Sequence, residues 1–125
     1  METKQVAEKL VELCKQGKNL EAIDTLYSPD IVSVEAMSMG PEMPAELRGI
    51  DAIRGKNQWW FENNEIHSAQ VTGPFPHNDR FAVMYDYDTT PKDGPTKGQR
   101  TKMQEVALYT VNDGKIVREE FYYQN

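Results

Sequence analysis

Two glutamates near the C-terminus, Glu105 and Glu119, are the side chains with the strongest claim to chemistry. They stand in two β-rich runs, MQEVALYTV and KIVREEFYY, separated by Asn112-Asp113-Gly114. That linker suits a three-residue hairpin turn with glycine at positive φ. In this register Tyr109 faces Val117, Ala107 faces Glu119, and Glu105 faces Phe121. Strand side chains alternate with period two, so both glutamates share a face with Met103, Tyr109, Phe121 and Tyr123. A carboxyl group among aromatic and apolar neighbours loses hydration, and a like charge nearby raises its pKa further. Such a pair divides into an acid and a base near neutral pH. His67 titrates in the same range and shares the odd parity of Glu65 and Ala69, which makes it the third candidate for proton transfer. All three also have a structural reading, as polar groups tied to fixed partners.

The strand expected from Arg80 to Thr90 supplies the rest of this face. Pairing Asp88 with Arg100 and Asp86 with Lys102 brings Phe81, Val83, Tyr85 and Tyr87 onto the odd side, with Val83 opposite Glu105. The Asp86-x-Asp88 pair then reads as structural rather than metal-binding, because hard cations want more oxygen ligands than it offers. Trp60, Tyr85, Tyr109, Phe121 and Tyr123 are the expected ligand-contacting rings. No Ser/His/Asp set, phosphate-cradling glycine loop or Cys/His metal spacing is present, so neither a metal nor a cofactor is expected.

These strands need supports. Val6, Leu10, Leu13 and Cys14 recur at helical spacing from about Thr3 to Gln16, and Gly17 ends that helix. Asn19 caps a second, shorter helix with Leu20, Ile23 and Leu26 inward, terminated by Pro29. A first strand is expected from Ile31 to Met37. The stretch 37–49, with Met37, Met39 and Met43 among Gly and Pro, reads as an irregular loop that either packs on the domain or covers a ligand site. A third helix runs from Asp51 to about Asn63, where adjacent Trp59 and Trp60 cannot both point inward. A strand from Glu65 to Thr72 follows, then a turn over 73–79. The order predicts one α+β domain spanning residues 1–125: three helices from the N-terminal half packed on the concave face of a curved, cone-shaped antiparallel sheet, enclosing a pocket.

The other, even-numbered face of the hairpin carries Val106, Leu108, Ile116 and Tyr122. Helices cannot cover both faces, so a homodimer through this surface is expected. The 125 residues carry a net charge of -6. That balance argues against nucleic acid and anionic membranes as partners. There is no apolar run of membrane-spanning length, and the single Cys14 excludes an internal disulfide. A soluble, cytoplasmic protein is expected.

The stretches NLEAIDTLYSPDIV, GIDAIRGKNQWWFEN, DRFAVMYDYD and YTVNDGKIVREEFYYQ together resemble the SnoaL-like proteins of the nuclear transport factor two-like superfamily, over nearly the whole chain. The resemblance implies a cone-shaped barrel with an apolar pocket, usually dimeric. It marks function less sharply, since these relatives include isomerases, cyclases, dehydratases and binding modules. The ketosteroid isomerase design, an Asp base with an oxyanion hole of Tyr and protonated Asp, would fall at Ala36, Leu10 and Ala107, none of which carries the needed group. The expected function is therefore cofactor-free acid–base chemistry, of isomerase, cyclase or dehydratase type, on a small apolar carbonyl or cyclic compound. The alternative is a non-catalytic apolar-ligand-binding or accessory dimeric module.

Overall fold

The computed structural model describes residues 2–38 and 44–123. Helix α1 spans Thr3–Lys15 and buries Val6, Ala7, Leu10, Val11, Leu13 and Cys14, a single apolar stripe. At its start the Glu2 amide donates to Gln5 Oε1 at 2.9 Å, satisfying one of the amides a helix leaves orphaned. Helix α2, Asn19–Leu26, buries Ala22, Ile23 and Leu26. Leu20, expected inward, is 48% exposed. At 3.6 residues per turn it lies about 120° around the helix from Leu26, off the stripe that Ala22 and Ile23 define.

Strand β1, Tyr27–Val34, starts directly after α2, four residues earlier than expected. Pro29 lies inside it, where the pairing with the last strand shifts between Tyr27 and Val32. A residue without an amide hydrogen fits such an irregularity. Within the stretch expected to be irregular, β2 (Glu46–Arg48) pairs with β1. Met39 and Met43 of that stretch lie outside the described residues. Helix α3, Ile50–Asn63, points Ile53 into the core; Trp60 is half-buried and Trp59 is 39% exposed.

Strand β3, Asn64–His77, continues through the Pro-rich stretch expected to turn. Its register shifts between Thr72 and Phe75, and the chain reverses instead at Asn78 and Asp79. The strand lies at the edge of the sheet, where prolines leave no ladder bond unmade. Strands β4 (Arg80–Pro91), β5 (Thr101–Asn112) and β6 (Lys115–Tyr122) complete an open, curved sheet in the order β2-β1-β6-β5-β4-β3. The helices cover one face of it, so the α+β architecture is as expected, with one correction. The sheet is mixed, because β1 runs parallel to β6. Neighbours joined by turns must be antiparallel; β1 and β6 are far apart in sequence, and no turn dictates their sense.

Both expected registers shift, and neither shift moves a carboxylate to the wrong face. Between β4 and β5 the ladder slips by two, giving Asp88↔Lys102, Tyr85↔Glu105 and Val83↔Ala107. An even slip preserves parity. Asp88 still holds Arg100, through contacts of 2.8 and 2.9 Å, and Asp86 accepts from Gln104 at 2.9 Å. The last hairpin turns on two residues, Asp113 and Gly114, with φ of 51° and 76°. Asn112 pairs with Lys115 and Val111 with Ile116, and then Thr110 pairs with Arg118, leaving Val117 as a bulge. The short turn alone would send Glu119 outward; the extra residue restores parity and sets Glu119 opposite Tyr109. Ile116 precedes the bulge, so it faces the core at 0% exposure rather than the outer surface expected of it.

Candidate functional site

The concave face of β4, β5 and β6 meets α1, α2 and α3 around a cavity of about 120 Å³. Glu105, Glu119, Trp60, Tyr85, Tyr109, Phe121 and Tyr123 all line it. His67 does not. It is exposed on β3, near the sheet edge, with Nε2 2.7 Å from Thr90 Oγ1. Its odd parity carried no information about the cavity, because His67 is the residue at which the β3 register shifts, between Ile66 and Ser68, and no described β3 residue lines the cavity.

Glu119 is 2% exposed and held at both oxygens. Tyr27 donates to Oε1 at 2.6 Å and Ser33 to Oε2 at 3.2 Å. Ser33 Oγ accepts in turn from Lys56 Nζ at 2.6 Å, and the same ammonium donates to Glu35 at 2.8 Å. Lys56 also lies 4.9 Å from the centre of the Phe121 ring. Burial raises the Glu119 pKa, while Lys56, Tyr27 and Ser33 oppose that rise. A buried carboxylate with two donors and a nearby cation is a satisfied group.

Glu105 differs. No described residue hydrogen-bonds to its carboxyl, which projects into the cavity from β5. Burial pushes its pKa up to about 7, reinforced by the charges of Glu35 and Glu119 and opposed by Lys56. The hydroxyls around it stay protonated. Tyr85 and Tyr109 bond to each other at 2.7 Å, and burial raises both well above the usual phenol range. Burial also lifts Tyr123, followed by the charge of Glu35; its hydroxyl is enclosed and has no partner of good hydrogen-bonding geometry. Cys14, 3.8 Å from the Tyr85 hydroxyl, is pushed up to about 11 by burial and is no nucleophile at neutral pH.

Aromatic rings form a continuous wall. The Trp60 ring centre lies 4.9 Å from Tyr87 and 5.1 Å from Phe61, and Tyr85 stacks on Tyr87 at 5.9 Å. Tyr27, Ser33, Glu35, Lys56 and Tyr87 belong to the site and were not among the expected contacts. Lys56 was legible, since it shares a helical face with Ile53 and Trp60 at spacings of i, i+3 and i+7. Ser33 and Glu35 alternate inward after Ile31, and this needs only the face of β1. Tyr27 gives no such signal, because it sits where helix becomes strand.

A family model described as a SnoaL-like domain matches residues 1–123. No curated protein matches the chain. Among solved structures, one from Mesorhizobium loti, provisionally named a SnoaL-like polyketide cyclase, is 45% identical with a TM-score of 0.90, covering 98% of this chain and 100% of that one. A nuclear transport factor two-like protein from Burkholderia thailandensis is 18% identical with a TM-score of 0.79, covering 99% and 92%. A protein from Jannaschia, again provisionally named a SnoaL-like polyketide cyclase, is 18% identical with a TM-score of 0.75, covering 98% and 87%. The last two share the fold.

Proposed function

This chain belongs to the SnoaL-like domain family, and on that premise we propose that its cavity performs acid–base chemistry on a small, largely apolar carbonyl or cyclic compound. The single observation that carries the reading is Glu105, a carboxyl in an aromatic cavity with no hydrogen-bond partner among the described residues and a pKa raised to about 7 by burial. Such a group both takes and returns a proton at neutral pH. Ionised Glu105 removes a proton from the carbon beside the carbonyl, and the electron pair moves onto the carbonyl oxygen. The Tyr123 hydroxyl, enclosed in the cavity wall with Glu35 as its nearest carboxylate, would donate to that oxygen. Returning the proton at another atom gives isomerisation; loss of a β-substituent gives dehydration, and attack on a second carbonyl gives cyclisation. Glu119 serves as a fixed negative neighbour that helps keep Glu105 basic. The Mesorhizobium loti relative is provisionally named a polyketide cyclase and also a carbohydrate phosphatase, and the first of these names fits this class of chemistry.

The test needs no natural substrate. Deuterium wash-in at the α-carbons of a panel of small cyclic ketones, followed by NMR, reads proton abstraction directly. The wild-type protein is expected to exchange at least about 100-fold faster than Glu105→Gln, the lower end for general-base catalysis. Exchange no faster than buffer across the panel, with binding retained, would instead support the ligand-binding module.

The same reading extends to assembly. Phe75 (58% exposed), Val106 (37%) and Tyr122 (53%) lie on the outer sheet face with Met84 and Leu108, aligned across β3 to β6 by the pairs Met84↔Val106 and Val106↔Tyr122. Large apolar side chains aligned this way on one surface favour burial against a second copy.

A further inference from the structure

The carboxylates around the cavity outnumber its cations. Glu35, Glu105 and Glu119 line it, and among the described residues Lys56 is its only ammonium or guanidinium. Lys56 is committed to Glu35 at 2.8 Å, and Glu119 is met by the neutral donors Tyr27 and Ser33. That leaves Glu105 with no ion-pair partner of its own among the described residues, and only the more distant charge of Lys56 acts on it. It stands beside the ring wall: Tyr85 is its partner across the ladder, and Tyr87, two residues on, feels its charge. Trp60 packs on Tyr87 with the two planes inclined at 57°, so the rings make a corner rather than a flat stack. The protein already places one cation against such a ring, since the Lys56 ammonium sits 4.9 Å from the Phe121 centroid.

We propose that the cavity takes a small organic cation, an alkylated ammonium that rests against the Trp60–Tyr87 corner within the field of Glu105. Ring faces attract a poorly hydrated cation without needing its N–H groups, and desolvation strengthens the attraction. An anion of the same shape meets three carboxylates against one ammonium and is disfavoured. The cavity, about 120 Å³, is somewhat smaller than the roughly 150 Å³ that accommodates a benzene, which suits a head group of a few carbons. This deepens the proposed acid–base reading by adding an alkylated ammonium group to the otherwise apolar carbonyl compound, and it rests on that cavity being the ligand site. The bound charge also supplies what the reaction needs. A cation beside Glu105 favours its ionised form, so the ligand itself turns the carboxyl into a base.

Isothermal titration with three isosteres tests this: choline, its uncharged carbon analogue neohexyl alcohol, and the anion of tert-butylacetic acid. Choline is expected to bind at least about tenfold more tightly than the alcohol at about pH 8, with the anion weakest. The preference should shrink at about pH 5.5, where Glu105 is protonated. Groups facing Glu105 do not mask this effect. Lys56 from α3 is paired with Glu35, Tyr85 and Tyr87 from β4 and Tyr123 after β6 are raised by burial, and Glu119 from β6 is buried with its own donors. Glu105→Gln should reduce the preference for choline over the alcohol to below about threefold. Equal binding of choline and the alcohol, tighter binding of the anion, or no choline binding at millimolar concentration would overturn the proposal. The pH comparison on wild-type protein stands without any variant. Turnover does not enter, so a protein that prefers choline yet exchanges no ketone proton keeps this inference and loses the acid–base reading, and the reverse result separates them equally.

Discussion

Glu105 and Glu119 come from one sheet face and meet opposite environments. Glu119 is enclosed by donors, whereas the desolvation of Glu105 is opposed only by the charge of Lys56. Its pKa is higher folded than unfolded, so the native state holds the proton more tightly. The stabilisation from protonated Glu105 is complete below about 4.5 and is lost as the pH rises through about 7. Wild-type stability from urea midpoints should therefore fall across that window by on the order of 3 kcal/mol, and Glu105→Gln should flatten the profile. Lys56 is the second decisive residue. Its side chain is 11% exposed and that of Glu35 is 10%, so Lys56→Met leaves a nearly buried carboxylate without its cation. Urea denaturation should show a loss of about 3–5 kcal/mol. Because Lys56 holds the Glu105 pKa down, a carboxyl NMR titration of the variant should move Glu105 above its wild-type value.

At the scale of the element, the hairpin of β5 and β6 decides which side chains reach the cavity. Asp113 and Gly114 both have positive φ, the backbone of a two-residue turn that matches the twist of the strands. Gly114→Val places a β-branched residue in that left-handed region and should cost about 1–2 kcal/mol by thermal unfolding. Deleting Val117 is a sharper test. Without the bulge residue the ladder can still pair Val111 with Ile116 and Thr110 with Arg118, so Glu119 should remain opposite Tyr109 and bonded to Tyr27. A crystal structure of the deletion variant with Glu119 on the outer face would refute this account of the register. The parity of Glu105 was legible in the sequence, whereas Glu119 reached the expected face only because the Val117 bulge offsets the shorter turn. The turn length was not, because Asn-Asp-Gly suits both a three-residue loop and a two-residue turn preceded by a paired asparagine.

At the scale of the molecule, the outer face carries Val106 and Tyr122 on its surface while the inner face holds the cavity. Replacing both residues by lysine puts charge at the centre of the proposed dimer contact without touching the cavity. Light scattering should report a dimer for the wild-type protein and a monomer for the double variant, with deuterium wash-in changed less than about twofold. A wild-type monomer at micromolar concentration would remove the dimer claim.

The sequence by itself determined the α+β architecture, the three helices and the face on which Glu105, Tyr85 and Tyr109 lie, while the face of Glu119 also needed the Val117 bulge. Those follow from periodicity, and a period-two pattern survives an even slip in register and a bulge that restores parity. Only the tertiary structure decided that β1 runs parallel to β6, that His67 lies away from the cavity, and that Ile116 joins the core. It alone assembled Tyr27, Ser33, Glu35 and Lys56 around Glu119 and left Glu105 unpaired. Periodicity is a local property of one element, whereas those partners come from separate elements whose relative placement is set by burying the shared core.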